Sequence, residues 1–470
     1  MPFDCPPIPS AAAGRPPSAT LRAMTLTLVM AVAPAAATFF RRDGAKPKPT
    51  GQGDSPLAFI AAGFVFGIVL GLAVLLFEVL FITPAAAGEK KRPWNDVRVS
   101  GFIGSEVRWF PETPAHAGQY AGAEASLLIN PEFRWRSQDR RHRVAFVPFA
   151  RLAGRDAERT HGDIREAYHL YLGDEVEILT GFNKVFWGVT ESRHLVDIIN
   201  QTDLVEDTDD EDKLGQPMIN IATQQDWGRL GLFILPGFRE RTFAGDTGRL
   251  RSGSPVDENA AEYEASLGRA NVDLALRYTH VIGDVDLGLS VFRGTARDPR
   301  LVATGRGTLA PYYDTITQGG LDLQYTTNAW LWKFEGIARE GQGKSFLATV
   351  FGFEYTLYQI AGTDADLGLL AEYQYDGRDP ADGAGVLADD DVFLGARLAL
   401  NDIQDTQALA GMVIDRDDGT MFFSVEMSRR LGTDWKAELE ARMLTNVDSE
   451  NGADPFRRDT FLNVRLSRYF

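Results

Sequence analysis

The chain has 470 residues, 24% charged and 44% hydrophobic, with 46 Gly, 23 Pro and a formal net charge of −17. So much apolar surface excludes a disordered chain, and a single cysteine, Cys5, excludes disulfide scaffolding. The acidic balance argues against nucleic acid, whose phosphates call for a basic face, and one long apolar run is too few for a polytopic helical membrane protein.

That run comes first. Ser55 to Phe77 carries no charge, Arg41, Arg42, Lys46 and Lys48 precede it, and Ala85-Ala86-Ala87 follows. A basic flank, an apolar stretch and a small-residue site are the parts of a secretory signal. Residues 1–87 are therefore expected to be a targeting segment cleaved near Ala87, extended at its front if Met24 or Met30 is the true start. An uncleaved anchor over 55–82 is the alternative, because the stretch nearly spans a bilayer. Residues 88–96 read as a periplasmic lead.

Beyond Gly88 the hydrophobic period is two. At the C-terminus Leu462, Val464, Leu466 and Phe470 share one face, and Asn463, Arg465 and Ser467 the other, the pattern of a strand with one apolar and one wet side. Segments of this kind begin near Val97, Ala121, Arg143, Ile164, Val176, Met218, Arg229, Val272, Val285, Gly319, Trp330, Phe346, Ala365, Val392, Leu409, Met421, Trp435 and Thr460. Those near Met218 and Leu409 alternate weakly, so the expected count is 16–18. Short turns at 173–175, 225–226, 283–284, 326–328 and 432–434 alternate with long loops at 188–217, 237–271, 296–314, 375–391 and 445–459. An even-numbered antiparallel outer-membrane barrel has this layout, with short turns on the periplasmic side. The expected fold is thus all-β, a transmembrane antiparallel barrel over 97–470.

A soluble β-sandwich alternates too, but it needs a dry interior, and here the polar phase is charged on nearly every strand. Trp227, Trp330 and Trp435 follow short turns, where a periplasmic aromatic girdle belongs, and Trp109 and Trp187 sit at the opposite strand ends. The chain ends on Phe470 in phase with its strand, like the terminal aromatic that the barrel-assembly machinery reads.

The polar phase nominates the lumen wall: Arg143, Arg151, Arg165, Asp273, Arg277, Lys333, Glu335, Arg339, Glu354, Glu372, Arg397, Glu426, Glu438, Glu440, Arg442 and Arg465. Neighbouring strands can pair these charges. The excess acid lies in loops. Glu191 to Lys213 holds nine acids against Arg193 and Lys213.

The stretch Val185-Phe186-Trp187-Gly188…Asp197-Ile198-Ile199-Asn200-Gln201-Thr202-Asp203 resembles a block in a group of proteobacterial porin-like outer-membrane proteins, in the style of alginate-export and phosphate-selective porins. There a Trp-Gly ends a strand and an Asp…Asn-Pro…Asp loop follows; Gln201 stands here at the Pro position. The resemblance implies that 189–216 folds into the lumen as a constriction, with Asp197, Asn200 and Asp203 ordering it and Arg193, Glu206, Asp207, Asp209, Asp210, Glu211 and Asp212 charging it. The other reading is an extracellular loop that merely carries charge.

Catalytic signatures are poor. No Ser and carboxylate can be placed against His169, the histidine that the alternation turns inward beside Arg165, and Gly343-Lys344-Ser345 lacks the first glycine of a phosphate loop, with Ala338 in its place. No cofactor and no metal site is expected. The expected partners are membrane lipids and lipopolysaccharide, the barrel-assembly machinery, and small hydrophilic solutes. The expected function is passive diffusion with cations favoured; the alternative is an occluded structural or export barrel on a lipid or polysaccharide route, working with a periplasmic partner.

Overall fold

The structure, a computed structural model, describes residues 97–379 and 389–470. The expected targeting segment, its cleavage site and the 88–96 lead lie outside these residues, which begin at 97. Strands β1 Arg98–Phe110, β2 Gly122–Arg136, β3 His142–Ala153, β4 His161–Leu172, β5 Val176–Asn183, β6 Gln216–Gln225 and β7 Gly228–Pro236 form the first part of one sheet. It continues through β9 Val272–Ile282, β10 Val285–Thr295, β13 Thr315–Thr327, β14 Trp330–Glu340, β15 Phe346–Leu357 and β16 Asp366–Asp376. The last five strands are β17 Asp390–Ala399, β18 Gln407–Asp415, β19 Met421–Leu431, β20 Trp435–Thr445 and β21 Phe461–Tyr469. A separate small sheet in the long loops joins β8 Glu262–Tyr263, β11 Arg300–Ala303 and β12 Leu309–Tyr313.

The large sheet has 18 strands, each antiparallel to its neighbours in the chain, and β1 also pairs with β21, Phe102 opposite Tyr469 through Trp109 opposite Leu462. The ring is closed. Closure matters physically because hydrocarbon offers no partner to a free backbone edge, and each orphaned group would cost several kcal/mol there. Every segment expected from the alternation is one of these strands, including the two weak ones.

Parity fixes the faces. On β9, Val272, Leu274 and Leu276 are exposed on the outside, while Asp273 and Ala275 between them are buried. The weak alternation of β6 and β18 has a local cause. Met218 faces inward and is buried in an apolar cluster within the lumen. On β18 the inward positions are Leu409, Gly411 and Val413; the Phe393 ring lies over Gly411, so closely that a Cβ there would meet it at 2.5 Å. Both faces then read as apolar.

Trp227 and Trp330 are exposed on the outer wall beside periplasmic turns, Trp227 stacked on Tyr278 and Trp330 on Trp332. Trp187 is not in a girdle. It is buried inside the ring, edge-on to Phe233 at 5.4 Å. His169, which the alternation turns inward, faces out instead: it pairs with exposed Val144 and stacks on His142. The shift comes from a bulge opposite Val147 and Pro148, which turns Arg165 and Glu166 inward in succession and flips the rest of β4.

Candidate constriction site

Residues 184–215, between β5 and β6, run inside the ring. The first half of the segment buries apolar side chains. Trp187, Leu195, Val196, Ile198 and Ile199 pack against Phe233, Leu235, Phe292, Ile316, Ile337 and Val350 of the facing wall. One arc of the lumen, from β5 to β15, is therefore filled by a dry core. Nothing in the period-two pattern announces this, because an inward apolar residue on a wet strand looks like noise.

Two wall carboxylates hold the backbone of the same segment. Glu335 on β14 accepts hydrogen bonds from the N–H groups of Val189 at 2.7 Å, Thr190 at 3.0 Å and Val196 at 3.2 Å. Glu372 on β16 accepts from the N–H groups of Glu191 and Ser192, both at 2.8 Å. Gly188 explains the Trp-Gly pair: its φ is +144°, and a Cβ there would stand 2.9 Å from a Glu335 oxygen.

Asp197, Asn200 and Asp203 each tie the segment together. Asp197 accepts from the Trp187 N–H at 3.2 Å and meets Lys213 at 3.4 Å. Asn200 accepts from the Val185 N–H and donates to the carbonyls of Asn183 and Leu214, joining both stems. Asp203 meets Arg165 at 2.7 Å and accepts from Thr242 of the 237–271 loop. Burial works to raise the Asp203 pKa, but the His161 imidazole and the Arg165 guanidinium bring it down to about 2.

Most acids of the second half are matched by wall or loop cations. Glu206 meets Arg151 at 2.6 Å; Asp207 meets Arg442 at 2.8 Å and Arg108 at 3.6 Å; Asp209 meets Arg442 at 2.8 Å. Arg193 reaches Asp376 at 2.7 Å, and Glu191 reaches Arg397 at 2.5 Å and Lys333 at 3.6 Å. Asp210, Glu211 and Asp212 form no ion pair among the described residues; Asp210 accepts from the Thr202 hydroxyl, and it and Glu211 are exposed. Enclosure and the neighbouring acids push Glu211 up to about 7 and Asp212 up to about 6.

Strand parity puts all the wall candidates on the lumen face. Asp273 pairs with Arg297, Arg339 with Asp298 and Glu438 with Lys436, while Glu354 lies 3.7 Å from Arg397; Arg277 pairs with Asp322 and lies over the Trp187 ring of the segment. Glu426 and Glu440 stand opposite each other with Arg442 against both. Arg465 pairs with Glu106, a wall residue that also binds Arg151 and Arg159. Glu106 and Arg108 were legible, since they alternate on β1; Arg159 sits in a loop and has no periodic signal. Arg143 faces Arg136, and Arg98 faces Arg134, at the periplasmic end of the lumen. Like charges directly opposite destabilise a sheet, and Arg134 is compensated there by Glu132 at 3.0 Å and Glu166 at 3.3 Å. Among the described residues no three His, Cys, Asp or Glu side chains converge as metal ligands would.

No family model matches this sequence, and a search of curated proteins gives no match. Solved structures do resemble it. A BenF-like porin from Pseudomonas fluorescens Pf-5 gives a TM-score of 0.48 at 9% identity, covering 80% of this chain and 97% of that one. OccAB3 of Acinetobacter baumannii gives 0.48 at 10% identity, covering 80% and 99%. Wzi of Escherichia coli, an outer membrane protein involved in group 1 capsule assembly, gives 0.45 at 9% identity, covering 80% and 84%. Ring closure, strand parity and the alternation of turn lengths, not these values, make the molecule a porin-like outer-membrane barrel.

Proposed function

We propose that the barrel is a passive diffusion channel for small hydrophilic solutes, with 189–216 as its constriction and cations favoured there. The observation that carries the reading is the run Asp210-Glu211-Asp212. It is the acidic part of the segment that forms no ion pair among the described residues, and Glu211 lies within electrostatic reach of Glu426 on the wall. Uncompensated charge in a narrow aqueous path attracts counter-ions. Arg98, Arg136 and Arg143 at the periplasmic end oppose it, so current should be larger in one direction than the other.

The test is single-channel recording in planar bilayers under a salt gradient. Discrete conductance steps, a reversal potential of cationic sign and a rectifying current are expected. Absence of any step would favour the occluded structural or export barrel, a reading supported by the dry core in half of the lumen. Steps with anionic reversal would leave the channel standing and remove the cation preference. A liposome swelling assay with sugars, amino acids and organic anions would then rank the solutes.

A further inference from the structure

The outer wall carries a groove of about 590 Å³ across β9, β10, β13, β14 and β15, lined by Leu276, Leu289, Val291, Gly319, Phe334 and Gly336 among others. Its cause is local. Gly319 lies between Val291 and Ala338, and Gly336 lies opposite Leu321, all on the lipid face. Two bare backbone positions thus interrupt a wall of large side chains. A Cβ built at Gly319 meets nothing within 4 Å. The groove lies toward the extracellular ends of these strands, in the half of the wall that faces the outer leaflet.

Directly above it, two residues beyond Val291 on the same face, Arg293 points outward near the extracellular end of β10. Its guanidinium donates to the Thr317 hydroxyl at 2.9 Å and forms no ion pair among the described residues. Glu340 stands beyond Thr317 in the same cross-strand row and is not paired with it. A cation at the edge of the hydrocarbon reaches the headgroup layer at little cost and meets anionic headgroups there. An apolar groove sized for chains and a lone cation at headgroup height together describe one kind of ligand.

We propose that this groove binds the acylated, phosphorylated membrane anchor of lipopolysaccharide, one acyl chain lying over Gly319 and Gly336 and a phosphate meeting Arg293. Such a lipid would be held at one place on the wall, in contrast to the freely exchanging lipid elsewhere. The proposal is independent of whether the lumen conducts.

The experiment uses the folded barrel in detergent, incubated with purified lipid A or with its dephosphorylated form, then desalted and weighed by native mass spectrometry. One retained lipid A per barrel is expected. Arg293→Gln and Gly319→Phe should each cut retention about tenfold, the scale of losing one charge-assisted contact or one chain-sized space. Arg293→Lys should keep most of it. Dephosphorylated lipid should be retained poorly by the wild type and be indifferent to Arg293→Gln. Heat-modifiable migration on gels shows that each variant is folded. Unchanged retention in both variants would overturn the proposal. So would equal retention of phosphatidylethanolamine, or a Gly319→Phe variant that dissociates an oligomer while keeping its lipid; the groove would then be a contact between copies.

Discussion

Glu211 and Asp212, in the proposed constriction, form no ion pair among the described residues, and enclosure and neighbouring acids outweigh any cation near them. Their pKa values, raised to about 7 and about 6, place their titration near neutrality. A raised carboxylate is neutral below its pKa and charged above it, so cation preference should climb as pH rises from about 5 to about 8. Reversal potentials measured across that range check this. Glu211→Gln with Asp212→Asn should flatten the pH profile and leave conductance nearly unchanged. Asp203 stays ionised throughout, because its pKa is about 2. Asp207→Asn with Asp209→Asn behaves differently: it takes from Arg442 two of its partners, leaving Glu440 and Glu426, so selectivity should move toward anions at every pH in that range.

At the scale of the element, the proposed constriction is a loop tied to the wall it crosses. Glu335→Ala removes the acceptor for three backbone N–H groups, each worth about 1–3 kcal/mol when left buried without a partner. The variant should still insert as a heat-modifiable barrel. Its 189–196 stretch should become cleavable by protease added to intact barrel, and open-channel noise should rise. Retained resistance with quiet current would mean that the apolar core alone holds the loop. The sequence made the strands legible because lipid and water impose opposite demands on alternate residues. It made the loop legible only in part. Asp197, Asn200 and Asp203 stood out as a motif, whereas Leu195, Val196, Ile198 and Ile199 gave no sign of which wall they would meet, since their partners lie on strands far along the chain. Trp187 was misplaced for the same reason: an aromatic at a strand end looks alike whether it faces lipid or turns inward.

For the whole molecule, the closing pair joins the first strand to the last, so the ring cannot close until β21 is present. Phe470 donates its N–H to the Gly101 carbonyl at 3.1 Å and exposes its ring on the outer face. Deleting Phe470 should lower the yield of barrel in the outer membrane several-fold without reducing the amount exported, read by membrane fractionation; normal yield would show that this contact and the proposed assembly signal are dispensable. The finished ring is uneven in one further respect. From β5 to β15 its wall is braced from within by packed side chains, while from β16 round to β4 it relies on hydrogen bonds and ion pairs. Packed interiors resist compression, and the half-exposed pairs of the other arc, such as Lys436 with Glu438, exchange more easily than the buried ones around Arg151. Amide hydrogens on the unbraced arc should exchange with deuterium first, and a bulky permeant should pass by flexing that arc outward, which makes the barrel elastic on one side and stiff on the other.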